Sequence, residues 1–139
     1  MIEKDYIMRE VQKLVQVLIV ILGLKQEKKF DKALVEIDNM YARFFDENRK
    51  LLQEKDIEGL IQLCTKGGTF SADLAFALGD IMKEEAEIME MQGETGKAME
   101  KYKVVLELYE LAVAGKDVAI PIDAAAKMQE LQRKVNAIK

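Results

Sequence analysis

Residues 71–115 read SADLAFALGDIMKEEAEIMEMQGETGKAMEKYKVVLELYELAVAG, and two helices joined by a glycine turn account for that stretch. Leu74, Leu78, Ile81, Met82, Ala86 and Met89 recur mostly at steps of three and four, which places them on one helix face. Ser71 stands just ahead of the run and predicts its N-cap, because a hydroxyl oxygen can accept from an otherwise unpaired N–H of the first turn. The helix should reach Gln92 and stop at Gly93, since glycine enters the left-handed region that closes helices at little cost. Beyond the turn, Ala98, Tyr102, Val105, Leu106, Tyr109 and Val113 form a second stripe. They predict a helix from about Thr95 to Ala114, ended by Gly115.

Upstream, a first helix is predicted from about Glu3 to Gly23, with Ile7, Val11, Leu14, Leu18 and Ile21 on its apolar stripe. A second, from about Lys29 to Asp46, aligns Phe30, Ala33, Leu34, Ile37, Tyr41 and Phe44. The short polar link Lys25-Gln26-Glu27-Lys28 predicts that these two form an antiparallel hairpin. In the middle, Asp56 reads as the N-cap of a short helix ending near Thr65, with Lys66-Gly67-Gly68 supplying its C-terminal turn. Downstream, Pro121 suits the first turn of a last helix, where Ala124, Met128, Leu131, Val135 and Ile138 alternate in heptad-like steps.

Composition agrees with an all-α chain. Half of the 139 residues are apolar, enough for one continuous core, and a single domain over residues 1–139 is the expectation. With 33 % charged residues and one proline, the chain has neither the signature of a disordered tail nor that of a turn-rich strand fold. A net charge of -4 with no basic cluster offers phosphates no field, so nucleic acid is not an expected partner.

The run Leu14 to Leu24, LVQVLIVILGL, carries Gln16 and covers about half of the roughly 20 apolar residues that a membrane span requires. No membrane span is expected, and the acidic residues Glu3 and Asp5 make a poor signal-peptide start. The segment around Val17, Ile19, Val20, Ile21 and Leu22 is instead apolar almost all round. A helix of that kind must be covered on more than one side, so these five residues are the candidate interface, with a homodimer as one way to cover them.

Cys64 is the only cysteine, which excludes an intramolecular disulfide and cysteine metal clusters and suits a cytoplasmic setting. The chain has no histidine, so histidine general bases, the Ser/His/Asp triad and histidine metal ligands are missing. Lys66-Gly67-Gly68-Thr69 lacks the spacing of a phosphate loop and any preceding strand. Glu84, Glu87 and Glu90, at a spacing of three, lack the histidines that accompany carboxylate-bridged metals and read as a solvated helix face. Tyr6 and Arg9 on the first helix, and Met82, Met89, Met91 and Met99 around the next-to-last hairpin, read as structural residues and core packing. No catalytic, cofactor or metal residue is expected, and no cofactor.

An internal similarity runs through the chain. Lys29-Phe30-Asp31-Lys32-Ala33 and Glu94-Thr95-Gly96-Lys97-Ala98 open two helices, and their alanines lie 65 residues apart. That is close to twice the roughly 34-residue period of tetratricopeptide arrays. Ala86, Met89, Gly93, Ala98, Tyr102 and Val105 resemble the small and large positions of that repeat; Glu85 departs from it, and so does Lys28 at the turn of the earlier hairpin.

The chain also resembles a family of short, uncharacterised bacterial proteins, chiefly from low-GC Gram-positive bacteria. The resemblance lies in Asp5-Tyr6-Ile7-Met8-Arg9, in Gly23-Leu24 with Phe30-Asp31-Lys32-Ala33-Leu34, and in Leu78-Gly79-Asp80-Ile81-Met82-Lys83-Glu84-Glu85-Ala86-Glu87-Ile88. It covers roughly residues 1 to 110, and it implies a tetratricopeptide-like helical fold, a cytoplasmic location and no known activity. The expectation is thus a right-handed stack of antiparallel hairpins with a C-terminal capping helix. Its role would be a non-enzymatic binding or scaffold module for a protein or peptide. The alternatives are a structural homodimer joined through the first and last helices and, third, an apolar small-molecule carrier with a cavity among Phe44, Phe45, Phe70, Phe76 and the methionines.

Overall fold

The Ser71 hydroxyl accepts from the Leu74 N–H at 3.2 Å, and the helix that follows, Ala72–Met91, organises the rest of the molecule. A computed structural model describes residues 2–45, 57–66, 68–115 and 121–137. Its helices are α1 (Ile2–Gln26), α2 (Phe30–Phe45), α3 (Ile57–Leu63), α4 (Ala72–Met91), α5 (Thr95–Val113) and α6 (Ala124–Asn136). The expected N-cap at Asp56 and the sequence from 46 to 55 lie outside the described residues.

Between α3 and α4 the chain makes a ribbon of two antiparallel two-residue strands, with Thr65 opposite Phe70 and Lys66 opposite Thr69. The sequence reading placed only a helix-ending turn there. A strand pair this short has no periodicity to detect, and Gly68, at φ +81, turns the chain back on itself. The protein is otherwise helical among the described residues, as its composition predicts.

α4 lies at the centre. It packs most extensively on α5, then on α1, and touches the edge of α2; α6 and α3 both pack on α5. One cluster of buried side chains draws on all six helices, from Leu14 and Ile21 on α1 to Leu131 on α6. Ala98, near the start of α5, is fully buried.

Two connections share one geometry. After α1, the Lys29 N–H donates to the Leu24 carbonyl and the Lys28 N–H to the Lys25 carbonyl, with Lys28 at φ 60. After α4, the Glu94 N–H donates to Met89 and the Gly93 N–H to Glu90, with Gly93 at φ 86. Both are Schellman turns, in which a left-handed residue lets two N–H groups reach back to the last helical carbonyls. Gly23 was expected to end α1, yet the helix continues through it to Gln26 because Lys28 takes the left-handed position instead.

Candidate interaction surface

The acidic run on α4, expected to be a solvated face, is an ionic spine. Glu84 and Glu85 are buried, and the run's carboxylates are engaged by side chains from four other helices. Glu84 meets Lys25 at 2.8 Å and Lys83 at 3.2 Å, and Glu87 binds the same two lysines. Three further carboxylates each hold one tyrosine and one lysine. Glu85 accepts from Tyr41 at 2.6 Å and Lys101 at 2.9 Å; Glu90 accepts from Tyr102 at 2.9 Å and Lys134 at 3.0 Å. Asp80 accepts from Tyr109 and, at 3.0 Å, from Lys127. Charge-assisted bonds of this kind offset the desolvation that burying a carboxylate costs.

Proton affinities follow from these contacts. Burial pushes the Tyr41, Tyr102 and Tyr109 phenols upward, and the neighbouring carboxylates push them the same way. Burial works to raise Glu87 as well, but bonds from Lys25 and Lys83 outweigh it and leave its carboxyl below the ordinary range. The Lys134 ammonium bonded to Glu90 lowers that carboxyl too. The spine therefore ties helices together rather than presenting open ligands. Glu85, the departure from the repeat pattern, is explained by its buried partners.

The five candidate interface residues of α1 divide. Ile21 is 0 % exposed and belongs to the core, a correction to its place in the interface. Val17 is half-buried against the core cluster. Ile19, Val20 and Leu22 remain 63 %, 48 % and 43 % exposed. Successive residues point about 100° apart around a helix, so a segment apolar on every side cannot bury all its members against α2 and α4 alone. α6 does not supply the missing cover. Its heptad positions Ala124, Met128, Leu131 and Val135 face the core inside the same chain, and it packs on α5.

The outer seam between α1 and α2 forms two open grooves of about 360 Å³ and 390 Å³ that share Val20 and Glu36. Leu24, Asp31, Lys32 and Val35 complete one; Lys13, Gln16, Val17 and Arg43 complete the other. The floor is aliphatic and the rim carries both signs of charge. Val35, 56 % exposed, was missed by the sequence reading. Its signal was there: an aliphatic residue between Leu34 and Glu36, off the stripe that α2 turns to the core.

Elsewhere, Met82 and Met99 are core residues and Met91 is exposed. Phe76 stacks at a tilt on Tyr109, 5.9 Å between ring centres, and the cavity they border measures about 10 Å³. That is at the lower limit for a single water. The side chains of Phe44 and Phe45 lie outside the described residues. No described helix is long and apolar enough to cross a membrane. No protein-family model matches the chain, and neither does any curated protein or solved structure.

Proposed function

We propose that this chain is a non-enzymatic binding or scaffold module of tetratricopeptide-like type, and that its protein or peptide partner sits on the outer face of α1 and α2. The observation that carries this reading is the apolar surface left open there: Val20 and Val35 stay exposed in the seam, beside the half-buried Val17 and Leu24, although the core cluster has buried the opposite faces of both helices. Clustered aliphatic side chains rimmed by charges are the usual mark of a protein contact.

The stack of antiparallel hairpins draws support from several features. Lys13 and Arg43 border one end of the seam, Leu24 and Asp31 the other, as expected of α2 returning along α1. The matched turns at Lys28 and Gly93 have the same 65-residue spacing as the buried alanines Ala33 and Ala98. A capping role for α6 suits its inward apolar stripe and polar outer face. A non-catalytic role is supported by the absence of histidine and by the Lys and Tyr partners that occupy the spine carboxylates. The buried Cys64 thiol suits a cytoplasmic setting.

The test is a photo-crosslinking amino acid placed at Val35 and, separately, at the exposed Glu107 of α5. Discrete protein adducts at Val35 and none at Glu107 are the expected outcome in the native host. Equal labelling at both positions, or none at Val35, would remove the reading.

A further inference from the structure

We infer that α2 is a hinged arm, which leaves α1 and α4 as one unit about Lys28 while α1, α4 and α5 stay assembled. The hinge comes from the backbone. Lys28 is held at φ 60, in the left-handed region that a side chain makes costly, whereas the matching turn after α4 gives that place to Gly93. Undocking α2 frees Lys28 to relax, and strain of this kind gathers at parts that move. The chain is clamped just before it. Lys25 binds Glu84 at 2.8 Å and also Glu87, so the end of α1 is fixed to α4 and motion begins past that clamp.

α2 is also the lightly held member. It packs along α1 but meets α4 far less than α1 does, and Gln92 at the end of α4 reaches Asp31 only at 3.5 Å. Farther along, Tyr41 donates to Glu85 Oε1 at 2.6 Å, the same oxygen that Lys101 of α5 binds at 2.9 Å. Docking thus takes water from a carboxylate that Lys101 already satisfies, and that desolvation offsets part of what the Tyr41 bond contributes. On undocking, water replaces the phenol, while the Glu85–Lys101 pair lies within α4 and α5 and keeps them joined. Burial of Ala33, Ile37, Met40 and Tyr41 makes opening a rare excursion rather than a resting state. Once free, a helix of 16 residues is marginal in water, so α2 unwinds and its amides exchange. The α1–α2 seam exists only while the arm is shut, and a partner bound across it would hold it there.

Native-state hydrogen exchange on the full chain, under conditions where reclosing outpaces exchange, tests the inference at peptides from α2, α4 and α5. In the wild type, α2 should be protected at least about tenfold less than α4 and α5. Tyr109→Phe removes a bond between α5 and α4 that the open form keeps. It should lower protection in α4 and α5 about tenfold and leave α2 unchanged. Tyr41→Phe removes a bond that opening breaks, so it should lower protection in all three helices by a similar factor of about ten. Lys28→Gly should raise protection in α2 about threefold, since the strain it removes is absent from the open form. Equal protection of the three helices in the wild type overturns the arm, and that comparison stands whether or not the variants fold. The arm is equally lost if Tyr109→Phe lowers α2 as much as α4, because α2 then opens only with the whole chain. Lys28→Gly that raises α4 and α5 but not α2 overturns Lys28 as the hinge.

Discussion

A Cβ added at Gly79 would lie 2.7 Å from Tyr109 Cε1 and 3.2 Å from Cδ1, closer than side chains tolerate. The ring cannot swing aside, because its hydroxyl is bound to Asp80 and its faces are buried. Gly79→Ala should therefore destabilise the protein by about 1 to 3 kcal/mol in denaturant melts, although alanine favours a helix by about 1 kcal/mol. Unchanged or higher stability would show that α4 and α5 do not approach so closely. The paired turns make opposite predictions. Lys28 occupies the left-handed region at a cost that glycine avoids, so Lys28→Gly should stabilise by about 0.5 to 1 kcal/mol, while Gly93→Ala should destabilise by about 1 kcal/mol. Changes of the same sign at both positions would contradict the equivalence of the two turns.

Among the elements, α4 dominates because it gathers partners from α1, α2, α5 and α6 onto one acidic run. Its response to acid follows from Glu87 and Glu90. Both carboxyls are held below their ordinary value of 4.5 in the folded state, so their stabilisation is full above that value and is lost as pH falls through the lower folded value. The melting temperature should stay level down to about pH 5 and drop below it. Glu87→Gln should cost on the order of 1 kcal/mol at neutral pH and flatten the acid decline; an unaltered decline would mean that other groups govern it. The boundaries of α4 were legible in the sequence because Ser71 and Gly93 act locally. Its ionic partners were not, since Tyr41, Lys25 and Lys101 lie 16 to 62 residues from the carboxylates they bind. The end of α1 was misplaced for a related reason. A glycine signals a helix stop only when the chain uses it in the left-handed region, and here Lys28 has that role.

For the whole molecule, the surplus of apolar side chains on Val17 to Leu22 was legible, but its direction was not, because facing depends on which helices arrive beside it. The distinction is testable with single charges: Ile21→Glu should unfold the chain, whereas Val20→Glu should leave its helical spectrum and melting temperature within a few degrees of the wild type. Similar unfolding by both would place Val20 in the core. The phenols bound to the spine also give the protein an optical handle. It has four tyrosines and no tryptophan, so its ultraviolet emission comes from tyrosine alone. Three of the four, Tyr41, Tyr102 and Tyr109, donate to carboxylates. A phenol becomes far more acidic when excited, and a carboxylate already in contact accepts its proton and quenches the light. The native protein should therefore be dim and brighten on unfolding, in step with the loss of helix, and emission that falls on unfolding would mean these bonds do not form in solution. Brightness would then report, without any label, whether α2, α5 and α4 are still clasped together.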